Sequence, residues 1–252
     1  MGRALGWLLH SLLRFRREDV HAHVARAFPD LPPSERERIV RGFYRHFGLL
    51  TFELIRLPYM TRDEVIGSTA LHDAHHFDDA LAAGKGVLVL AAHTGNWEMG
   101  CAAVAERGYR VHIIVKEIKG KAGQHVADRM REAHGVVPLP RRGSVKRILR
   151  LLRQNTPIGF VLDQNMTREE GVFVDFFGHE ACTMPGLAVL AQRAGSPVVP
   201  VTFWRDDSYR INARFLPPLT WQEISSDRGE NVRHNTQRYT HAIEDMIRSH
   251  RS

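Results

Sequence analysis

From residue 86 onward, short runs of β-branched and aliphatic residues alternate with amphipathic segments, and this alternation restricts the fold more than any other feature. Residues 87–91 form the first run, followed by a helical stretch opening at Trp97 and a second run over 111–115. A helix over 124–133, the pair Val136-Val137, a basic helix over 144–154 and a run over 158–162 come next. The series closes with runs at 172–176, 198–203 and 209–215 and helices over 185–194 and near 231–248. Strands separated by helices of this length predict a mainly parallel or mixed sheet with helices on its faces. Upstream, Pro32-Pro33-Ser34-Glu35 is a helix start signal. Ile39, Val40, Phe43, Phe47, Leu50, Leu54 and Leu57 follow at helical spacing until Pro58. No repeat, linker or composition break divides the chain. The expectation is one α/β domain: a helical N-terminal region over 1–60, then a core over 61–252 with a mixed, mostly parallel central sheet flanked by helices.

A chain of 252 residues, 43% of them hydrophobic, is long enough to bury such a core. Its two cysteines, Cys101 and Cys182, lie in apolar stretches and read as buried, reduced thiols. The net charge of +7 comes mostly from arginine, whose guanidinium binds phosphate bidentately, so an anionic partner fits the composition. No run reaches the roughly 18 apolar residues of a membrane span. Residues 4–13 are apolar with a basic exit at Arg14, Arg16 and Arg17. They suit either a helix lying on an anionic bilayer surface or one packed on the domain.

In sheets of this kind, reactive side chains gather where strands give way to helices at their carboxyl ends. The first such end carries His93, Thr94, Gly95, Asn96, Trp97 and Glu98. An apolar strand delivers His93, Gly95 and Asn96 permit a tight turn, and Glu98 opens the next helix, whose N-terminus favours a negative charge. A carboxylate on one imidazole nitrogen fixes the tautomer and makes the other nitrogen a better base. That is the base-and-orienter half of a triad, and no G-x-S-x-G elbow supplies the nucleophile. The attacking hydroxyl is therefore expected to belong to the substrate. On spacing alone, a structural reading of the His93 and Glu98 pair stays open.

The second strand end carries Asp163, Gln164 and Asn165, polar side chains suited either to binding substrate or to capping a loop. Between the two ends lie Arg129, Arg131, Arg141, Arg142, Lys146, Arg147 and Arg150. Some of these are expected at the same mouth, where they can take phosphate, and most on solvated helix surface. Backbone and side-chain donors around Gly95 and Asn96 are expected to stabilise an oxyanion.

HTGNWE, over 93–98, resembles the H-x4-D/E box of glycerolipid acyltransferases, in the form used by the bacterial lipid A late acyltransferases. The similarity extends to ARAFPDLPPSERERI at 25–39, GKGVLVLAAHTGNWE at 84–98 and FVLDQN at 160–165. It continues through GVFVDFFG at 171–178, LAVLAQRAGSPVVPV at 187–201 and YTHAIEDMIRSH at 239–250. The resemblance implies a glycerolipid acyltransferase-like fold. It implies that His93 is the general base with Glu98 its partner, and that the acceptor hydroxyl attacks a thioester directly. Acyl carrier protein or coenzyme A would carry that thioester, an anionic glycolipid such as a lipid A precursor would supply the hydroxyl, and no further cofactor or metal is implied. Arg131 matches a family arginine that holds substrate, and Asp163 matches the acidic residue after the later strand; Gln164 adjoins it. The implied location is the cytoplasmic face of the bacterial inner membrane, peripheral or anchored by a segment outside this chain. The family's usual N-terminal span and tryptophan-rich C-terminal segment are departures: this chain starts after the one and stops before the other.

Two rival readings come from other classes. Residues 71–79 hold His72, Asp73, His75, His76, Asp78 and Asp79, the ligand types of a metal-dependent hydrolase, on what reads as an amphipathic helix ahead of the first core strand. No H-E-x-x-H spacing accompanies them. The basic charge permits a nucleic-acid-binding module, but no recognised nucleic-acid motif is present, and none is expected as a partner.

Overall fold

The computed structural model describes residues 1–116 and 120–249. Its strands are β1 (Thr69–His72), β2 (Val87–Ala91), β3 (His112–Val115), β4 (Val137–Pro140), β5 (Pro157–Val161), β6 (Val172–Phe176), β7 (His179–Thr183), β8 (Val198–Arg205) and β9 (Ile211–Phe215). The helices are α1 (Gly2–Trp7), α2 (Arg17–Ala27), α3 (Pro33–Arg56), α4 (Arg62–Gly67), α5 (His75–Ala82), α6 (Trp97–Glu106), α7 (Lys121–Glu132), α8 (Val145–Arg153), α9 (Gly186–Ala194) and α10 (Arg228–Ser249). Seven strands form one sheet in the order β1-β9-β8-β2-β5-β3-β4, with β8 and β9 antiparallel and the other pairs parallel. β6 and β7 make a separate antiparallel hairpin. The expected mixed, mostly parallel sheet flanked by helices is the architecture found.

Alternation along β2 divides the core. Leu88 and Leu90 join Ile158, Phe160 and the apolar faces of α8, α9 and α10 in one cluster, including Leu152, Leu187, Tyr239 and Ile243. Val87 and Ala91 face the other way, with Val199, Val201, Phe203 and Phe77 of α5. Both faces of β2 are thus buried, which is why its sequence is a continuous apolar run rather than an alternating one. Truncating Leu88 or Leu90 to alanine costs about 2–5 kcal/mol on this basis.

Pro33 occupies the first turn of α3, where its missing N–H removes no helical bond. α1 crosses α3 at very short range: Gly2 and Gly6 lie against Gly48, and a Cβ on any of the three would collide with backbone. A π-helical turn, Leu8–Leu12, then leads the chain out. Trp7, Leu12, Leu13 and Phe15 remain exposed there, so the apolar stretch over 4–13 is only partly covered by the domain. Among the described residues, no helix is long and apolar enough to cross a membrane.

Two sequence expectations change, and two strands come to light that local pattern does not show. Residues 71–79 are not one helix: Leu71 and His72 end β1, Asp73 turns at φ 53°, and α5 starts at His75. β1 is a four-residue edge strand whose pairing partner, β9, lies far along the chain, so local pattern does not reveal it. β7 was likewise unanticipated; Phe177 and Gly178, both at positive φ, close the hairpin that β6 begins. Cys182 is buried, but Cys101 is only partly so. The terminal helix carries the closing motif up to Ser249, while His250 lies outside the described residues.

Candidate active site

The parallel register of β2 on β5 sets the geometry. Val87 pairs with Pro157 and Ala91 with Val161, and the ladder continues when the Leu162 N–H donates to the Ala91 carbonyl at 3.1 Å. Two residues beyond each strand, the same register brings His93 opposite Asp163. Asp163 grips it twice: Oδ2 accepts from the His93 backbone N–H at 2.9 Å, and Oδ1 lies 2.6 Å from the ring Nδ1. With a carboxylate as acceptor, Nδ1 carries the proton of the neutral ring, and Nε2 is then left with its lone pair. Nε2 has no hydrogen-bond partner among the described residues, and the side chain is 39% exposed. The hydrogen bond to Asp163 raises the His93 pKa, burial opposes it, and the charges of Asp163 and then Glu98 add to the rise.

Glu98 does not make the contact expected of it. Its carboxylate is buried and held by Arg131, with Nε 3.1 and 3.2 Å from the two oxygens and Nη2 2.5 Å from Oε1. Helix α6 carries Glu98 inward, behind the turn, so the orienting carboxylate on His93 comes from the neighbouring strand end. This corrects the pairing of His93 with Glu98. Burial raises the Glu98 carboxyl pKa, while the Arg131 guanidinium pulls it back down. Arg131 Nη1 takes no part in this fork. The guanidinium also lies 5.9 Å from the Trp97 ring centroid.

Gly95 and Asn96 are framework rather than cleft wall, which corrects their expected place at the substrate. Gly95 has φ 54°, and a Cβ there would lie 2.6 Å from the Phe203 backbone. Asn96 is fully buried, its Oδ1 capping α6 through the Met99 N–H at 3.0 Å while its Nδ2 donates to Glu53 Oε2 at 2.8 Å. Buried at this depth, the side-chain amide is not part of the cleft wall. Glu53 also takes Arg205 in a bidentate pair at 2.5 and 2.7 Å, and His46 Nε2 donates to the Gly95 carbonyl at 2.9 Å. Burial, with Arg205 nearby, lowers the His46 pKa. Thus α3 braces the turn that carries His93, through His46 and Glu53, neither of which the sequence singled out. They lie some forty residues upstream of the turn, and no local pattern links them to it.

His93, Trp97, Arg131 and Gln164 line a cleft of about 210 Å³ at the carboxyl edge of the sheet. Ile114, Phe160, Leu162, Met166 and Met184 supply apolar wall, and Lys116 and Arg141 supply positive charge. Asp163 sits behind His93 rather than on the wall. The arrangement joins a steered imidazole to a partly apolar slot with a cationic end.

The histidines and aspartates of 72–79 do not converge. His72 Nε2 bonds Asn212 at 2.8 Å, His75 and His76 face one another at 4.1 Å, and Asp78 accepts from Tyr109 at 2.6 Å. Among the described residues, no three ligand-type side chains are grouped to hold a metal ion.

A steered histidine without a protein nucleophile, at the carboxyl edge of an α/β sheet and beside a partly apolar cleft, is the kind of site an acyl-transfer fold carries. Residues 1–251 match the bacterial lipid A biosynthesis acyltransferase family, and the chain belongs to it. A phosphatidylinositol mannoside acyltransferase of Mycolicibacterium smegmatis is 28% identical over 192 residues, covering 74% of this chain and 62% of that protein. A lipid A biosynthesis acyltransferase of Haemophilus influenzae is 19% identical over 197 residues, covering 77% and 61%. A lipid A biosynthesis palmitoleoyltransferase of Escherichia coli is 22% identical over 226 residues, covering 86% and 71%. The chain spans about three-fifths of the length of the first two relatives.

Proposed function

We propose that the protein transfers a fatty acyl group from a thioester onto a hydroxyl of a polar glycolipid, with His93 as the general base. The observation that carries this reading is the His93–Asp163 pair at the mouth of the cleft, with Nε2 unengaged. In the reaction, Nε2 takes the acceptor hydroxyl's proton as its oxygen attacks the thioester carbon. The carbonyl electrons move onto oxygen, and the tetrahedral intermediate collapses with cleavage of the C–S bond. The imidazolium returns the proton to the departing thiolate, so the base is regenerated. Asp163 holds the ring in the productive tautomer and stabilises the imidazolium. Arg131, fixed by Glu98, presents its remaining amino group, Nη1, as a donor to the oxyanion.

Acyl carrier protein or coenzyme A is the proposed thioester carrier, and the acceptor belongs to the class that spans lipid A precursors and mannosylated phosphoinositides. The names of the M. smegmatis and H. influenzae relatives support that range. Docking on a membrane would use the exposed Trp7, Leu12, Leu13 and Phe15, flanked by Arg14, Arg16 and Arg17. The proposed site of action is the cytoplasmic face of an inner membrane. The test is an acyl-transfer assay with several thioester donors and lipid acceptors, in which His93→Ala is expected to lose on the order of a hundredfold or more in rate. Turnover near the wild-type level in that variant contradicts the reading.

A further inference from the structure

Beyond His93 the cleft runs to a cationic end that the proton transfer does not use. Lys116 follows β3, Arg141 follows β4, and both line the cleft wall. The Arg141 side chain is only 23% exposed, yet its guanidinium is weakly engaged. Nη1 faces the thioether sulfur of Met166 at 3.4 Å, and Nη2 is 3.3 Å from Glu170 Oε2. A thioether is a poor acceptor, and the carboxylate contact is at the long end of hydrogen-bond range. Lys116 forms no salt bridge among the described residues.

Glu170 comes from the loop that follows Asp163 and reaches across to this end. Its other oxygen, Oε1, takes Arg142 Nη2 at 2.5 Å. Arg142, Arg141 and Lys116 all depress the Glu170 carboxyl pKa, the Arg142 hydrogen bond most strongly. One carboxylate therefore sits among three cations and leaves a surplus of positive charge beside the reaction centre. A phosphate group offers more charge and three strong acceptor oxygens, which suit a guanidinium fork together with a point-charge ammonium.

We propose that Lys116, Arg141 and Arg142 form a phosphate subsite at the end of the cleft, and that Glu170 occupies it until a substrate phosphate displaces the carboxylate. The proposal deepens the acyl-transfer reading and rests on it for the identity of the cleft. The phosphate has two chemical sources: the phosphopantetheine arm shared by both thioester carriers, or the headgroup of the acceptor lipid. In either case Glu170 acts as a built-in competitor that weakens binding of anions.

Calorimetric titration of the folded chain at fixed ionic strength tests this without requiring turnover. Pantetheine 4′-phosphate, unphosphorylated pantetheine and glycerol 3-phosphate are the probes. Saturable binding is expected for at least one phosphorylated probe, with no comparable binding of pantetheine. Lys116→Ala and Arg141→Gln are each expected to weaken it about tenfold, the scale of one lost charged contact. Glu170→Gln is expected to tighten it several-fold, and His93→Ala to leave it unchanged. The preferred phosphorylated probe identifies the source. The exposed Lys116 is replaced without disturbing packing, so a folding defect in Arg141→Gln does not blunt the test. Absence of binding to the wild type, equal binding by Lys116→Ala, or unchanged or weaker binding by Glu170→Gln overturns the proposal. Because His93→Ala is expected to lose turnover and to keep binding in this assay, a failure of the subsite and a failure of the acyl-transfer reading give different results.

Discussion

His93 and Asp163 are 70 positions apart in the chain and 2.6 Å apart in space, joined by the parallel register of β2 on β5 carried two residues past the strand ends. The sheet itself therefore builds the base and its orienting acid. Rigid backbone ladders fix both partners, with a second bond from Asp163 to the His93 backbone N–H tightening the arrangement. Glu98 supports the site from another direction, as the buried counter-ion of Arg131.

Breaking the Glu98–Arg131 pair should cost more in stability than its single salt bridge suggests. Both side chains are nearly inaccessible, at 6% and 11% exposure, so Glu98→Ala leaves an uncompensated guanidinium in a low-dielectric setting. A loss of about 3–5 kcal/mol is expected, read as a lower denaturation midpoint. Arg131→Met in the Glu98→Leu background should recover part of it. Unchanged stability in Glu98→Ala would show that the pair contributes nothing to the fold.

Gly95→Ala should damage the site without touching a reacting group. The residue sits at φ 54°, and the added methyl meets the Phe203 backbone at 2.6 Å. Backbone strain of this kind costs about 1–3 kcal/mol, and the turn must shift to relieve the clash. Chemical denaturation together with an acyl-transfer assay is expected to show both a stability loss and a lower rate. Wild-type behaviour in both would mean that the turn is freer than this packing allows.

What could be seen in the sequence was what is local. The continuous apolar run of β2 reads as a strand because both of its faces are buried, and the amphipathic period of α3 reads as a helix between Pro33 and the region of Pro58. His93 stood out because such a strand delivers it to an edge. Asp163 stood out as well, at the second strand end, but not as the partner of His93: the eye pairs His93 with the Glu98 of the next turn, whereas the sheet register that selects Asp163 is a long-range property. The same holds for His46, Glu53 and Arg205, which converge on the turn from α3 and β8. The edge strand β1 and the polar β7 failed to announce themselves because distant pairing, not composition, makes them strands.

The exposed N-terminal apolar group gives a separate expectation. Trp7 and Phe15, at 64% and 56% exposure, each offer apolar area worth about 1.5–3 kcal/mol when buried. Trp7→Ala with Phe15→Ala is expected to reduce partitioning onto anionic vesicles at least tenfold, measured by vesicle sedimentation, with little change in thermal stability. Undiminished partitioning would place the docking surface elsewhere on the protein.

The pH dependence of kcat/KM, measured for wild type, Asp163→Asn and Glu98→Gln, bears most directly on the steered imidazole. Asp163 raises the His93 pKa, so the ionic contact favours the protonated ring: its contribution to stability is full below the ordinary histidine value and is lost as pH rises through the raised one. Only the neutral ring is a base, so the wild-type rate should rise with pH along an acid limb above about 6.5. Asp163→Asn is predicted to move that limb to lower pH and to drop the plateau about a hundredfold, while Glu98→Gln shifts the limb less. An Asp163→Asn profile that overlays the wild type, or a larger displacement of the limb in Glu98→Gln, contradicts the account.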